Sequence, residues 1–405
     1  MGKWEEKELG EVCYFENGDR GKNYPSRSDY VEKGIPFINT GNLSFNEIKT
    51  KNLHYISKEH FNRLSNGKVK NGDIIFCLRG SLGKFALVLN IENGAIASSL
   101  VIVRVKEDLD NYFLSYYFQS SIANEMINKY DNGSAQPNLS AANLRKFKIP
   151  LPPIATQKQI VSKLDALFAR IDKSIGLLEE NIQHTKDLMA SVLDGEFNLI
   201  NNEELVIKKL GEVTTKIGSG STPRGGQKSY KTEGVSLIRS MNVHDMFFKE
   251  KNLAFIDDVQ AEKLKSVIIE ENDVLLNITG ASVARCCIVD KSYLPARVNQ
   301  HVAIIRLNQE FLPEFVMYYL VSPKVKYGLL NSSSGNATRE ALTKTMIENI
   351  EIPYITKEKQ TKLVHRIKKG FEIEKNLIAQ QSEKLSHLQS LKSSLLDMAF
   401  KGGLV

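Results

Sequence analysis

The chain repeats itself. KELGEV at Lys7–Val12 returns as KKLGEV at Lys208–Val213, which sets Gly10 on Gly211. GIPFINTGNL from Gly34 returns as GVSLIRSMNV from Gly234, and the run from Val69 returns from Ile268 with Asp73 on Asp273 and Gly80 on Gly280. Tyr116 and Tyr117 then fall on Tyr318 and Tyr319, Gly133 on Gly335, Ile149 on Ile352 and Gln157 on Gln360. The offset drifts only from 200 to 203. A register kept over that length means two copies of one unit with small loop insertions, so whatever folds here folds twice. The 405 residues exceed what one hydrophobic core usually serves, and a hydrophobic content of 42% supplies two.

Each copy has the same internal order. Short β-rich runs such as DIIFCL, KFALVL and SLVIVRV are separated by turn signals. A helical stretch (Tyr112 to Lys129), a Gly/Ser/Asn loop and an extended Ile-Pro exit follow. Next comes a Pro-free stretch from Gln157 to about Phe197, with Ile160, Leu164, Leu167, Ile171, Ile175, Leu178, Ile182, Met189 and Val192 stepping mostly by three and four. Leu363, Ile367, Phe371, Ile378, Leu385, Leu388 and Leu395 repeat the pattern in the second copy. This spacing predicts two helices, each on the order of 55 to 60 Å long, too long for a small domain to bury. Pairing the two apolar stripes antiparallel buries both. The expected fold is mixed α/β: globular domains over 1–153 and 201–355, with helical regions over 154–200 and 356–405 pairing as a coiled coil that spaces the domains, related by a pseudo-twofold axis. Packing of each helix on its own domain, or a rod formed only with another chain, are the alternatives.

Searching for chemistry gives little. The N/D-P-P-Y/F/W tetrapeptide of DNA amino-methyltransferases is missing, since Pro152-Pro153 is followed by Ile154. GSGSTPRGG at Gly218–Gly226 lacks the lysine of a phosphate-binding P-loop. Acid-x-Lys triplets such as Glu47-Ile48-Lys49 are expected by chance at 25% charged residues. The seven histidines form no metal motif, and Cys13, Cys77, Cys286 and Cys287 read as reduced, buried thiols. There is no acylation signal and no apolar run of membrane-spanning length, so the expected compartment is the cytoplasm. The expectation is a chain with no catalytic site, no metal and no cofactor of its own.

Polar, glycine-containing loops recur instead, on a chain of net charge +7 and pI near 8.9. Arg and Lys suit guanine edges, Asn and Gln suit adenine, and Ser or backbone amides suit phosphate. In the first copy the candidates for DNA contact are Arg20 and Lys22; Asn39, Thr40 and Asn42; Arg79, Ser81 and Lys84; and Ser134, Gln136 and Asn138. In the second they are Ser219, Ser221, Thr222 and Arg224; Arg239 and Asn242; Thr279, Ser282 and Arg285; and Asn336 and Arg339. The copies agree in their apolar framework and diverge in these loops. An asymmetric, two-part DNA target would call for that pattern.

With LGEV at Leu9 and Leu210, the G-S-T-P turn at Gly220–Pro223, GIPFINTGNL at Gly34, NGDIIF at Asn71, GSAQPNLS at Gly133 and IPLPPIATQKQIV at Ile149 before the long helix, the whole chain resembles the specificity subunit of type I restriction-modification enzymes. The resemblance implies two target-recognition domains separated by paired helical regions. It also implies double-stranded DNA and two methyltransferase subunits as partners, the latter supplying S-adenosylmethionine and the adenine-methylating site. Restriction subunits, using ATP and Mg, would join through the complex. Flanking helix positions such as Leu177, Leu188 and Leu396 are the candidates for holding the methyltransferases. The second copy departs from the pattern, with Thr338-Arg339-Glu340 where the first has Gln136-Pro137-Asn138 and IPYIT for IPLPP, so Arg339 is a weaker candidate than Gln136. A specificity subunit serving a single methylating and cleaving polypeptide is told apart by its neighbouring gene. A rod-like protein-interaction scaffold is told apart by binding that ignores salt, and an autonomous enzyme by activity of the chain alone on DNA.

Overall fold

The structure is a computed structural model and describes residues 4–44, 46–131, 137–201, 206–334 and 341–404. It separates into two compact units, and the division falls inside the long helices. The first unit comprises residues 1–179 with 383–405, and the second comprises residues 180–382.

In the first unit the alternating apolar runs fold into two sheets. One is antiparallel, ordered Phe85–Leu87, Ile74–Cys77, Leu100–Val105, Cys13–Asn17. The other has five strands, ordered Tyr30–Val31, His54–Ile56, Ile35–Ile38, Gly94–Ile96, Lys68–Val69, and contains one parallel pair between Ile35–Ile38 and Gly94–Ile96. Strand Ile74–Cys77 is buried along its whole length, which is why it reads IIFC without a polar interruption. One face of the antiparallel sheet packs on helices Asn111–Gln119 and Ser121–Tyr130 through Phe76, Phe85, Phe113, Tyr117 and Phe118. Its other face meets the second sheet through Ile75, Cys77, Ile102 and Ile38.

The second unit is built from the same parts. Its antiparallel sheet is ordered Thr214–Ser219, Val302–Leu307, Val274–Asn277, Cys286–Ile288, and its second sheet Ala254–Ile256, Val235–Ile238, Ala296–Val298, Ile268–Ile269, again with one parallel pair. The edge strand Tyr30–Val31 of the first unit shrinks here to a single bridge, Lys231 to Phe255.

The central helix runs Ile154–Asn201 and the C-terminal helix Lys357–Phe400. Gln157 and Gln360 tie them to their domains in the same way. Gln157 is fully buried, its Oε1 accepts the Asp110 backbone N–H at 2.8 Å, and its Nε2 donates to the carbonyls of Asp108 and Pro152 at 2.8 Å each. Gln360 repeats this with the Leu312 N–H and the carbonyls of Glu310 and Ile355. Within each unit the two helices pack antiparallel. In the first, Lys392 Nζ reaches Asp172 at 2.7 Å while Lys163 Nζ donates to the Leu404 carbonyl at 2.8 Å. In the second, Arg366 holds Glu196 through Nε at 3.1 Å, and Met189 lies beside Gly370.

The partner helix also enters each core. Leu396, Ala399 and Phe400 are buried against the first domain, with Phe400 4.9 Å from Phe113 between ring centroids. Leu193 and Phe197 take the matching places in the second unit, with Phe197 5.6 Å from Phe315. This corrects the expectation for Leu396: with 5% of its surface exposed, it packs in the core of the first unit and is not an exposed flanking position. Leu177 and Leu188 are exposed at 51% and 61%. The four cysteines are buried and free. Burial pushes Cys13 and Cys287 up to about 12 and raises Cys286, so these three thiols stay protonated. Among the described residues, no helix is long and apolar enough to cross a membrane and no cluster of His, Cys, Asp or Glu could hold a metal ion.

Candidate nucleic-acid interface

In the first unit four loops converge at one end of the paired sheets. After strand Ile35–Ile38 the chain makes the 3-10 turn Thr40–Asn42, in which the Asn39 side chain accepts the Gly41 N–H at 2.8 Å. Thr40 Oγ1 lies 3.1 Å from Ser99 Oγ, in the turn that links strand Gly94–Ile96 to strand Leu100–Val105. The Ser99 carbonyl accepts the Leu78 N–H at 2.9 Å, which brings in the loop that starts at Arg79. Arg79 forms a β-bridge with Asn138. Arg20 arrives from the loop after strand Cys13–Asn17, and its Nη2 donates to the Ser98 carbonyl at 3.3 Å. Arg20, Asn39, Thr40, Arg79 and Asn138 therefore share one surface. Lys22 is exposed on the Arg20 loop. Ser81 and Lys84 lie elsewhere, lining a cleft of about 470 Å³ with Gln389 and Lys392 of the C-terminal helix.

The Arg20 loop is held by Asp19, whose carboxylate accepts the backbone N–H groups of Gly21 at 2.9 Å and Ser65 at 2.8 Å. These bonds lower its pKa. A lowered carboxyl stabilises the fold fully above its unfolded value and loses that contribution as pH falls through its folded one, so the loop is acid-sensitive and indifferent to pH near neutrality.

The second unit places its loops alike and fills them differently. Thr222 donates to Gln300 Oε1, Gln300 Nε2 lies 3.1 Å from His301 Nε2, and His301 Nδ1 contacts Thr279 Oγ1. This chain of side chains joins three loops. Ser221, Thr222 and Arg224 also wall an open cleft of about 500 Å³ opposite Gln260 and Lys263, a shape and charge suited to a phosphate backbone. Ser219 is exposed at the end of its strand, and Ser282 and Arg285 are half-buried in the loop after Val274–Asn277. Arg239 is a half-buried strut: its guanidinium donates to the Asn252 carbonyl and lies 5.2 Å over the Tyr230 ring.

Asn42 and Asn242 are corrections. Asn42 is 2% exposed; its Oδ1 accepts the Asn39 N–H at 3.1 Å and its Nδ2 donates to the Lys49 carbonyl at 3.4 Å. Asn242 is fully buried and makes the same bonds to Arg239 and Lys249. Both hold a turn closed, and burial keeps the rest of either amide away from a base. Ser134, Gln136, Asn336 and Arg339 lie outside the described residues.

Sequence reasoning passed over the turn before strands Leu100–Val105 and Val302–Leu307, which holds Ser98 and Ser99 in one unit and Gln300 and His301 in the other. Its signal was available, because SS faces QH inside two otherwise matching apolar frames. Glycine enforces the approach of the neighbouring loop. A Cβ on Gly18 would stand 2.4 Å from the Ala97 carbonyl oxygen, and one on Gly220 would stand 1.9 Å from that of Val298. Gly220→Ala must push these two backbones apart. The expected result is roughly 2 kcal/mol lost from the second unit, in the range of the larger single-residue effects, and selective loss of whatever that unit binds. Denaturant titration followed by hydrogen exchange in both units measures it, and an equal effect on the first unit would contradict the local cause.

The model of the type I restriction modification DNA specificity domain matches residues 1–180 and again 202–386. The chain is 22% identical over 391 residues to the EcoKI specificity subunit of Escherichia coli strain K12, covering 91% of this chain and 82% of that one. It is 26% identical over 332 residues to the EcoBI specificity subunit of Escherichia coli, covering 75% and 68%. Among solved structures it aligns with a chain from work on complex assembly and conformational transition of the type I R-M system, with a TM-score of 0.76 at 22% identity over 100% of this chain and 99% of the other. It also aligns with the HsdS subunit from Thermoanaerobacter tengcongensis, with a TM-score of 0.61 at 21% identity over 99% and 97%. At these identities the structural likeness carries the fold.

Proposed function

Because the chain belongs to the type I restriction-modification DNA specificity family, we propose that its two units each read one half of an asymmetric, two-part DNA target. The observation that carries this is internal. Equivalent loops stand on equivalent frameworks, yet Arg20 and Ser98 occupy the places that Thr222 and Gln300 occupy in the other unit. A duplicated binding scaffold with unlike side chains at its contact surface is built for two unlike sequences.

The chain supplies the address and its partners supply the chemistry. Two methyltransferase subunits bring S-adenosylmethionine and methylate adenine within the target, and restriction subunits bring ATP and Mg. Leu177 and Leu188, exposed on the central helix, are the positions offered for docking the methyltransferases. The complex works in the cytoplasm. Co-expression with a cognate methyltransferase subunit in a host without adenine methylation, followed by genome-wide mapping of modified adenines, tests the reading. A single two-part motif with a fixed gap, lost when this chain is omitted, is the expected result. Methylation that does not depend on the chain, despite a stable complex, would overturn it.

A further inference from the structure

We propose that Gln300 is the side chain with which the second unit recognises adenine. The inference rests on the DNA-reading function argued above and adds a residue and a base to it. A primary amide has two N–H donors and an oxygen with two lone pairs. In Gln300, one lone pair accepts from Thr222 Oγ1 and one N–H donates to His301 Nε2, the latter at 3.1 Å. Accepting that bond places the imidazole proton on Nδ1, where Thr279 Oγ1 receives it. Turning the amide over reverses every bond between Thr222 and Thr279 at once, with the imidazole proton on Nε2, so in either orientation the network uses one N–H and one lone pair of the amide. One N–H and one lone pair of Gln300 remain, and the residue is exposed. Donor plus acceptor is the pair that adenine matches in the major groove with N7 and its N6 amino group. The two struts also remove rotamer freedom before DNA arrives, which lowers the cost of binding.

The first unit supports the assignment by contrast. Gly18 N–H bonds to the Leu100 carbonyl and Gly220 N–H to the Asn299 carbonyl, at opposite ends of the matching turns, so in each unit the loop carrying Arg20 or Thr222 is held against the turn carrying Ser98 or Gln300. At this pair of positions each unit has one long polar side chain and one short one. In the first unit the long one is Arg20, braced on the Ser98 carbonyl; in the second it is Gln300, braced on Thr222. The pair of positions is common to both units, and both the member that carries the long side chain and its hydrogen-bonding identity differ.

The test uses the full chain with its methyltransferase partner, and compares wild type, Gln300→Ala and Gln300→Glu by mapping methylated motifs genome-wide. In the wild type, one position of one half-site should be an A·T pair. Gln300→Ala should relax that position alone, reducing its preference for adenine by on the order of tenfold to a hundredfold. Gln300→Glu keeps the acceptor and loses the donor, so the preference there should move toward cytosine, whose N4 amino group donates. An unchanged motif in both variants, relaxation at a position that is not A·T, or equal relaxation across the half-site would each overturn the assignment. If Gln300→Ala abolishes methylation, Gln300→Glu decides. A shift toward cytosine supports the role, and retained adenine preference or a second complete loss refutes it. A wild-type complex that yields no chain-dependent motif would instead sink the DNA-reading function itself.

Discussion

Residues 1–201, expressed without the rest of the chain, are expected to form a homodimer that directs methylation to a palindrome made of the first half-site twice. In the full chain, the first domain completes its core with Leu396 and Phe400, and Asp397 Oδ1 accepts from Ser121 Oγ at 2.6 Å and Ser121 N at 3.3 Å at the start of helix Ser121–Tyr130. In the second unit, Leu193 and Phe197 fill the matching core positions, and Asp194 accepts the Lys324 N–H at 3.1 Å. The offset between these trios is 203, the same offset that maps Gln157 onto Gln360. A second copy of residues 1–201 therefore carries, in Leu193, Asp194 and Phe197, side chains of the identity the first domain lacks. Glu196, bound to Arg366 in the full chain, would find Lys163, which stands where Arg366 does in the other repeat.

Burying one Leu and one Phe contributes on the order of 5 kcal/mol per site, and the exchange is reciprocal, so a closed twofold dimer gains it twice. Light scattering and methylome mapping read the two parts of the prediction. A fragment that stays monomeric at micromolar concentration while unfolding cooperatively would show that the helix of the other repeat is dispensable to the first domain. A stable dimer that directs an asymmetric motif would contradict the equivalence of the two copies.

The repeat, the α/β units and the two long helices were legible because each rests on periodicity that survives substitution: Ile160 and Leu164 step like Leu363 and Ile367, and Pro152-Pro153 and Ile355-Thr356 mark where the helices begin. The roles of individual polar residues were harder to read. Asn39 and Asn42 sit three apart in one loop, alike in type, yet one is half-exposed and the other is buried and closes the turn. A single sequence has no way to separate them, because a turn cap and a base contact ask for the same amide. Leu396 misled for a related reason. The C-terminal helix serves more than one apolar surface along its length, so a leucine beside the main stripe can be core to a domain that lies far away in sequence. Gln300 was hidden by its setting between two strands, where a polar pair reads as a turn.

Asp73→Ala should destabilise the first unit by about 3 kcal/mol while leaving the second unit as it was. The carboxylate is 2% exposed, and Arg104 grips it through Nε at 2.7 Å and Nη2 at 2.8 Å while the Lys70 N–H adds a third bond at 2.8 Å. Breaking a buried, hydrogen-bonded ion pair from one side commonly costs 3 to 5 kcal/mol, chiefly because a charge is left buried without its partner. Here the charge left behind is the guanidinium, 31% exposed and able to reach water, which argues for the lower end of that range. Arg104→Ala strands the carboxylate instead, with only its backbone bond, and should cost more.

The pair also has a bearing on recognition. Asp73 opens the strand Ile74–Cys77 that delivers Arg79, and Arg104 lies on the strand Leu100–Val105 that leaves the Ser98–Ser99 turn. Locking these strands together sets the register of two reading loops at once. Asp273 and Arg306 do the same in the second unit, with Nε to Oδ1 and Nη2 to Oδ2 both at 2.8 Å. Asp73→Ala should therefore erode one half of the DNA motif and Asp273→Ala the other. Hydrogen exchange on the intact chain supplies the control, because strand Val274–Asn277 in the second unit should keep its protection when Asp73 is replaced. Equal loss of protection in both units, or a stability change below about 1 kcal/mol, the ordinary scatter of surface substitutions and single hydrogen bonds, would show that the ion pair is not what holds each reading surface in register.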